Sequence, residues 1–144
     1  MFSTKTNSLF MFVLLMFVAS CTYPFSSPVI AKPDEYTRVY EAKEKFALRA
    51  VARVIKEKSV GIHVVIDEKN HRVDSDYFLS DGWRTKATAV VKQINWKECE
   101  VTLSVITEKQ TKDGWEMRRL LEKDQYDVFF SAIDLKIYEE MSRI

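Results

Sequence analysis

Two cysteines, two histidines and three glycines set narrow limits on the chemistry open to this 144-residue chain. Cys99 alternates with Val101, Leu103 and Val105. That spacing turns all four side chains to one face of a strand, so the Cys99 thiol is expected in a core rather than in a reactive site. His63 and His71 could meet across a hairpin, with Asp74 and Asp76 close by. A metal site needs His, Cys or carboxylate ligands gathered at one point, and Asp67, Asp74 and Asp76 do not keep a calcium-loop spacing. Nucleophilic catalysis needs a nucleophile, a base and an orienting group. No Gly-x-Ser-x-Gly turn is present, and Gly61, Gly82 and Gly114 are too scattered to form a phosphate-cradling loop. The Glu- and Lys-rich stretches read as solvated faces in which no acid–base pair stands out. The expectation is a protein that is not an enzyme and uses no metal or cofactor.

That leaves Cys21. It closes Phe17-Val18-Ala19-Ser20-Cys21, directly after the apolar run Leu9 to Ala19. A helix needs roughly 20 apolar residues to cross about 30 Å of hydrocarbon, and this run is too short. With Lys5 as the only charged side chain before it and small residues after it, the segment reads as a secretory signal. Val18, Ala19, Ser20 and Cys21 resemble, position by position, the lipobox of bacterial lipoprotein precursors, with Val18 where Leu is commoner. The resemblance implies cleavage before Cys21, diacylation of its thiol, and a signal peptide over residues 1–20. Stable anchoring takes more than one acyl chain, and a lipoprotein cysteine carries two or three. Thr22 follows where Asp would resemble an inner-membrane retention signal, so the expected destination is the outer membrane, facing the periplasm.

Residues 21–33 carry Pro24, Pro28 and Pro33 with Ser26 and Ser27. No helix survives that density of proline, so a lipidated cysteine on a mobile tether is expected. Residues 34–144 are then one domain. The chain is 47 % hydrophobic and 30 % charged, an ordinary globular balance. Loss of residues 1–20 removes Lys5 and leaves the mature chain neutral, which gives no argument for a nucleic-acid partner.

Periodicity supplies the elements. From Asp34, a candidate cap, to Lys58, the residues Tyr36, Val39, Tyr40, Phe46, Ala47, Ala50, Val51, Val54 and Ile55 fall mostly at helical spacing, and Gly61 is the expected end signal. The period then becomes two. Ile62–Asp67 reads as a strand. Arg72–Leu79 follows, with Val73, Ser75, Tyr77 and Leu79 on one face. Trp83, Thr85, Ala87, Ala89 and Val91 share a face of the next strand, and Cys99 to Val105 form another. One-sided strands joined by polar turns predict an antiparallel meander with one wet face. Asp113-Gly114 signals a hairpin into a short fifth strand, Trp115–Leu120. Asp124 is the expected cap of a last helix striped by Tyr126, Phe129, Phe130, Ile133, Ile137 and Met141.

The predicted fold class is therefore α+β: an antiparallel sheet of four to five strands packed against an N-terminal and a C-terminal helix, in the order α-β-β-β-β-(β)-α. This order and the Tyr-x-x-Phe-Phe-x-x-Ile pattern of Tyr126–Ile133 resemble the helix-grip domains of outer-membrane lipoproteins, the C component of the β-barrel assembly machine among them. The resemblance implies a non-enzymatic envelope protein that binds another envelope protein as a scaffold or assembly factor. Trp83, Trp96 and Trp115 all stand at or beside turns, where Trp is either a core lid or an interface anchor. Tyr77 and Phe78 point to opposite faces of one strand. The rival expectation is a carrier of a lipid or other hydrophobic ligand, since Ala87 and Ala89 on the inner face could leave room for a cavity.

Overall fold

The computed structural model describes residues 27–143, so residues 1–20, where a signal peptide is expected, and Cys21 lie outside the described residues. Its regular structure begins with a strand where the apolar spacing predicts a helix. β1 (Tyr36–Tyr40) lies antiparallel to β6 (Cys99–Thr111), with Tyr36 opposite Leu103 and Tyr40 opposite Cys99. Positions four apart share a face in a helix and in a strand alike, so the burial of Tyr40 and the half-burial of Tyr36 suit both. The β-favouring run Tyr-Thr-Arg-Val-Tyr and the free edge of β6 decide for the strand. Asp34 caps no helix. Its carboxylate pairs with Arg119 at 2.6 and 3.0 Å, and the Arg119 guanidinium holds that carboxyl below its usual range.

Helix α1 (Glu44–Glu57) buries Phe46, Ala47, Ala50, Val51, Val54 and Ile55 as expected, and Leu48 and Ala52 as well. It lies between the sheet and the last helix. Its left-handed exit residue is Ser59, at φ 53°, not Gly61. What Gly61 supplies is space: a Cβ there would sit 1.9 Å from Ser75 Oγ.

Among the described residues the remaining strands are β2 (Ile62–Asp67), β3 (Arg72–Asp76), β4 (Phe78–Ser80), β5 (Trp83–Gln93) and β7 (Gly114–Arg118). The seven antiparallel strands follow the order β1-β6-β5-β3-β2, with β7 beside β6 and β4 beside β5. Two more strands are present than expected. One is β1. The other arises because Arg72–Leu79 divides into β3 (Arg72–Asp76) and β4 (Phe78–Ser80). Arg72 faces Val90, whereas Phe78 faces Thr85, a slip of one residue. A slip of one sends each later side chain to the opposite face. Val73 and Ser75 are therefore buried while Leu79 is exposed. Ser75 holds the slip: its hydroxyl donates to the Ala87 carbonyl at 3.1 Å and accepts the Ala87 N–H at 3.0 Å.

The inner face is the one predicted, with Ala87, Ala89 and Val91 from β5 and Cys99, Val101, Leu103 and Val105 from β6 all in the core. Helix α2 (Lys123–Ser142) starts from Glu122, whose side chain and that of Gln125 form a reciprocal capping box; Asp124 falls in its first turn. Tyr126, Phe129, Phe130, Ile133 and Ile137 are buried, whereas Met141 is exposed. The helix packs mainly on α1 and touches β1. Tyr40 Oη donates to the Phe130 carbonyl at 2.8 Å, and Tyr126 Oη accepts the Val105 N–H at 2.9 Å. Arg53 of α1 pairs with Glu139 and with the buried Glu140, and Lys136 reaches Glu57 at 3.2 Å. Among the described residues, no helix is long and apolar enough to cross a membrane.

Candidate interaction site

The turn between β5 and β6 is short and well braced. Asn95 Oδ1 accepts the N–H groups of Lys97 and Glu98 at 2.8 and 3.0 Å, and its amide donates to the Glu98 carboxylate at 2.6 Å. Gln93 donates to the Glu98 carbonyl at 2.8 Å and accepts the Glu44 N–H at 2.7 Å. The hairpin tip is thereby fastened to the first turn of α1, and its backbone needs no partner of its own. From this tip Trp96 projects into solvent, 77 % exposed. Lys97 Nζ lies 4.5 Å from the centre of its ring.

Trp96 lines an open groove of about 550 Å³ together with Phe46, Met141, Lys43, Lys45, Lys97 and Glu41. Among the described residues, none of these three lysines has a carboxylate within ion-pair distance. An exposed indole on a rigid turn, beside unpaired cations, can take an apolar anchor and an acidic flank from a partner chain. Of the three tryptophans, only Trp96 is exposed as an interface anchor would need to be. Trp83 and Trp115 are half-buried. The Trp115 ring stacks on Arg84, 4.4 Å away, and Tyr77 stacks on the same guanidinium at 4.3 Å. Arg84 is ion-paired with Glu108, so this cluster satisfies itself. Phe78 is partly exposed near the end of α1. The hairpin's many bonds to Asn95 and the closeness of Lys43 and Lys45 have no signature in sequence spacing.

The other candidate groups are dispersed. His63 and His71 stand at opposite ends of the β2–β3 hairpin, not across from one another, because Ile62 faces Asp76 while Asp67 faces Arg72. His63 contacts Asp76 at 3.1 Å and His71 contacts Glu44. Among the described residues, no group of three His, Cys, Asp or Glu could hold a metal ion. Cys99 is fully buried, and burial, with Glu44 adding to it, pushes its thiol up to about 11. It is neither a thiolate nor accessible.

No protein-family model matches the chain, and no curated protein matches it. Among solved structures it is similar to a point mutant of norcoclaurine synthase from Thalictrum flavum in complex with a transition-state analogue. That likeness has 9 % identity, covers 81 % of this chain and 99 % of that one, and has a TM-score of 0.44. It is also similar to a TBP-like protein from Parabacteroides distasonis, at 12 % identity over 79 % of this chain and 96 % of that one, with a TM-score of 0.35. Likenesses this loose lend the chain neither an activity nor a ligand.

Proposed function

We propose that this chain is an accessory lipoprotein of the bacterial cell envelope, anchored through acylated Cys21 at the periplasmic face of the outer membrane. We infer that its helix-grip-like domain is a scaffold or assembly factor that binds another envelope protein, not an enzyme. The anchor reading rests on Val18-Ala19-Ser20-Cys21. The binding reading rests on one observation above others: Trp96, the most exposed large apolar side chain among the described residues, stands on a braced turn beside Lys43, Lys45 and Lys97. Exposed apolar patches rimmed by polar groups mark interaction sites.

The carrier alternative asks for an apolar cavity beneath the helices. Any side chain lining a cavity wide enough for water keeps surface that water can touch. Ala87 and Ala89, the small residues that would open such a space, keep 0 % and 1 %. Their packing favours the scaffold.

Co-purification from detergent-solubilised host membranes, followed by mass spectrometry, tests the binding reading. A partner with an acidic segment should be recovered with the native chain and lost with Trp96→Ala and with Lys97→Glu, while circular dichroism stays unchanged. A partner retained by both variants, or recovery of a bound lipid in place of a protein, overturns it.

A further inference from the structure

The segment expected to be a free tether is fastened to the domain from Ser27 onward. Arg118 Nη1 donates to the Ser27 carbonyl at 2.8 Å. The Arg119 N–H donates to the Pro28 carbonyl at 2.9 Å, and the Ile30 N–H donates to the Met117 carbonyl at 3.1 Å. Val29 bridges Arg118 in antiparallel register. At its far end, Asp34 is locked to Arg119 by two side-chain bonds and accepts the Ser104 hydroxyl at its carbonyl, 2.9 Å away. Residues 27–30 thus lie against the C-terminal end of β7, and Asp34 is fastened to Arg119 just beyond it and to Ser104 of β6.

This shortens the anchor. Six residue steps separate Cys21 from Ser27, and a chain spans at most about 3.6 Å per residue, so the reach is roughly 20 Å. A tether free as far as Asp34 would reach about twice as far. The edge at β7 also lies far from the opposite edge of the sheet. From β7 through β6, β5 and β3 to β2 there are four strand spacings, or about 20 Å at roughly 4.8 Å each. Val29 and Leu120 are exposed apolar side chains on the β7 edge, next to Arg119.

Resting on the reading of Cys21 as the acylated anchor, we propose that this edge, carrying the exposed Val29 and Leu120, is the surface that meets the phospholipid layer, and that the clamp on Ser27–Asp34 holds it there. The domain is then a body with a preferred membrane-facing side, and β2 is its distal edge. Exposed apolar side chains suit the boundary between headgroups and acyl chains, and Arg119 beside them serves the clamp through its pair with Asp34.

The test uses the full acylated chain, purified from host membranes and placed in phosphatidylethanolamine–phosphatidylglycerol vesicles that carry a nitroxide-headgroup lipid. A fluorophore is attached to Leu120→Cys on the clamped edge or to Val65→Cys, an exposed position on β2; buried Cys99 does not take the label. The Leu120→Cys label should be quenched several-fold more than the Val65→Cys label. Combining Leu120→Cys with Arg118→Ala and Arg119→Ala should bring its quenching down to the Val65→Cys level. Equal quenching at the two sites in the otherwise native chain overturns the proposal, whether or not the double alanine variant folds. Quenching unchanged by a folded double variant overturns the clamp. Palmitate labelling of the same preparation separates the two layers. Absence of label overturns the anchor reading and the proposal with it, whereas label with equal quenching overturns the membrane edge alone.

Discussion

Gly61→Ala should destabilise the domain strongly, although the same exchange often stabilises. At a position with ordinary backbone angles and free space, Gly→Ala adds about 0.4–1 kcal/mol by restricting the unfolded chain. Gly61 has no such space. The new methyl would lie 1.9 Å from Ser75 Oγ, 2.5 Å from Ser75 Cβ and 3.3 Å from the Asp76 carbonyl. Ser75 cannot simply rotate away, because its hydroxyl bonds both the N–H and the carbonyl of Ala87. Forcing a methyl into a packed site costs about 1–3 kcal/mol, and each lost hydrogen bond about 0.5–1.5 kcal/mol. The sum is roughly 2–6 kcal/mol, a large share of the roughly 5–15 kcal/mol that holds a domain together. At about 4 °C per kcal/mol for a domain of this size, Tm should fall by roughly 8–24 °C. Urea unfolding of wild type, Gly61→Ala, Ser75→Gly and the double variant gives the coupling directly. The double variant should lose less than the sum of the two single losses by more than about 1 kcal/mol. A neutral or stabilising Gly61→Ala would refute the contact, and with it the register slip between β3 and β4 that Ser75 holds.

Phe130, 2 % exposed, should cost about 3–5 kcal/mol on truncation to Ala, whereas Tyr138→Ala on the same helix, 73 % exposed, should leave the thermal midpoint nearly unchanged. Loss of partner with an unchanged midpoint in Phe130→Ala would mean that the C-terminal helix is a recognition element and not core. The Asp34–Arg119 pair should add an acid-sensitive component to stability. The folded carboxyl titrates below its usual value, so its contribution is present above about pH 4, the carboxyl's ordinary range, and is lost as pH falls through the lowered folded value. Asp34→Asn should flatten the stability profile as pH falls below about 4, measured by urea midpoints, and an unchanged slope there would count against the pair.

The strands with one polar and one apolar face were legible because period two has a single interpretation in β5 and β6: every inward residue from Ala87 to Val91 and from Cys99 to Val105 is where alternation puts it. Tyr36 and Tyr40 were not legible, since a separation of four satisfies helix and strand equally. The break between β3 and β4 escaped because it depends on one serine hydroxyl bonding across to Ala87, a tertiary event with no local signal. Gly61 drew attention for the wrong reason: its value lies in the missing Cβ, not in the backbone angles of a helix end. The C-terminal stripe was clear from Tyr126 to Ile137, yet Lys136, on its nominally polar side, reaches across to Glu57 because a second helix lies there. Trp96 could be singled out only as one of three, since exposure is decided by what the hairpin leaves uncovered. The clamp on Ser27–Asp34 was hidden by its prolines and serines, which advertise a free linker while β7 supplies an edge to bind it.

The claim on which the functional account stands is that Cys21 is an acylated anchor. Growth of the native host with labelled palmitate, followed by fractionation, measures this in one experiment. The account predicts label on the wild-type chain in the outer-membrane fraction. Cys21→Ser should be unlabelled and released from membranes, with its domain still folded by circular dichroism. A wild-type chain that carries no label, or a Cys21→Ser chain that keeps both its label and its membrane location, would contradict it.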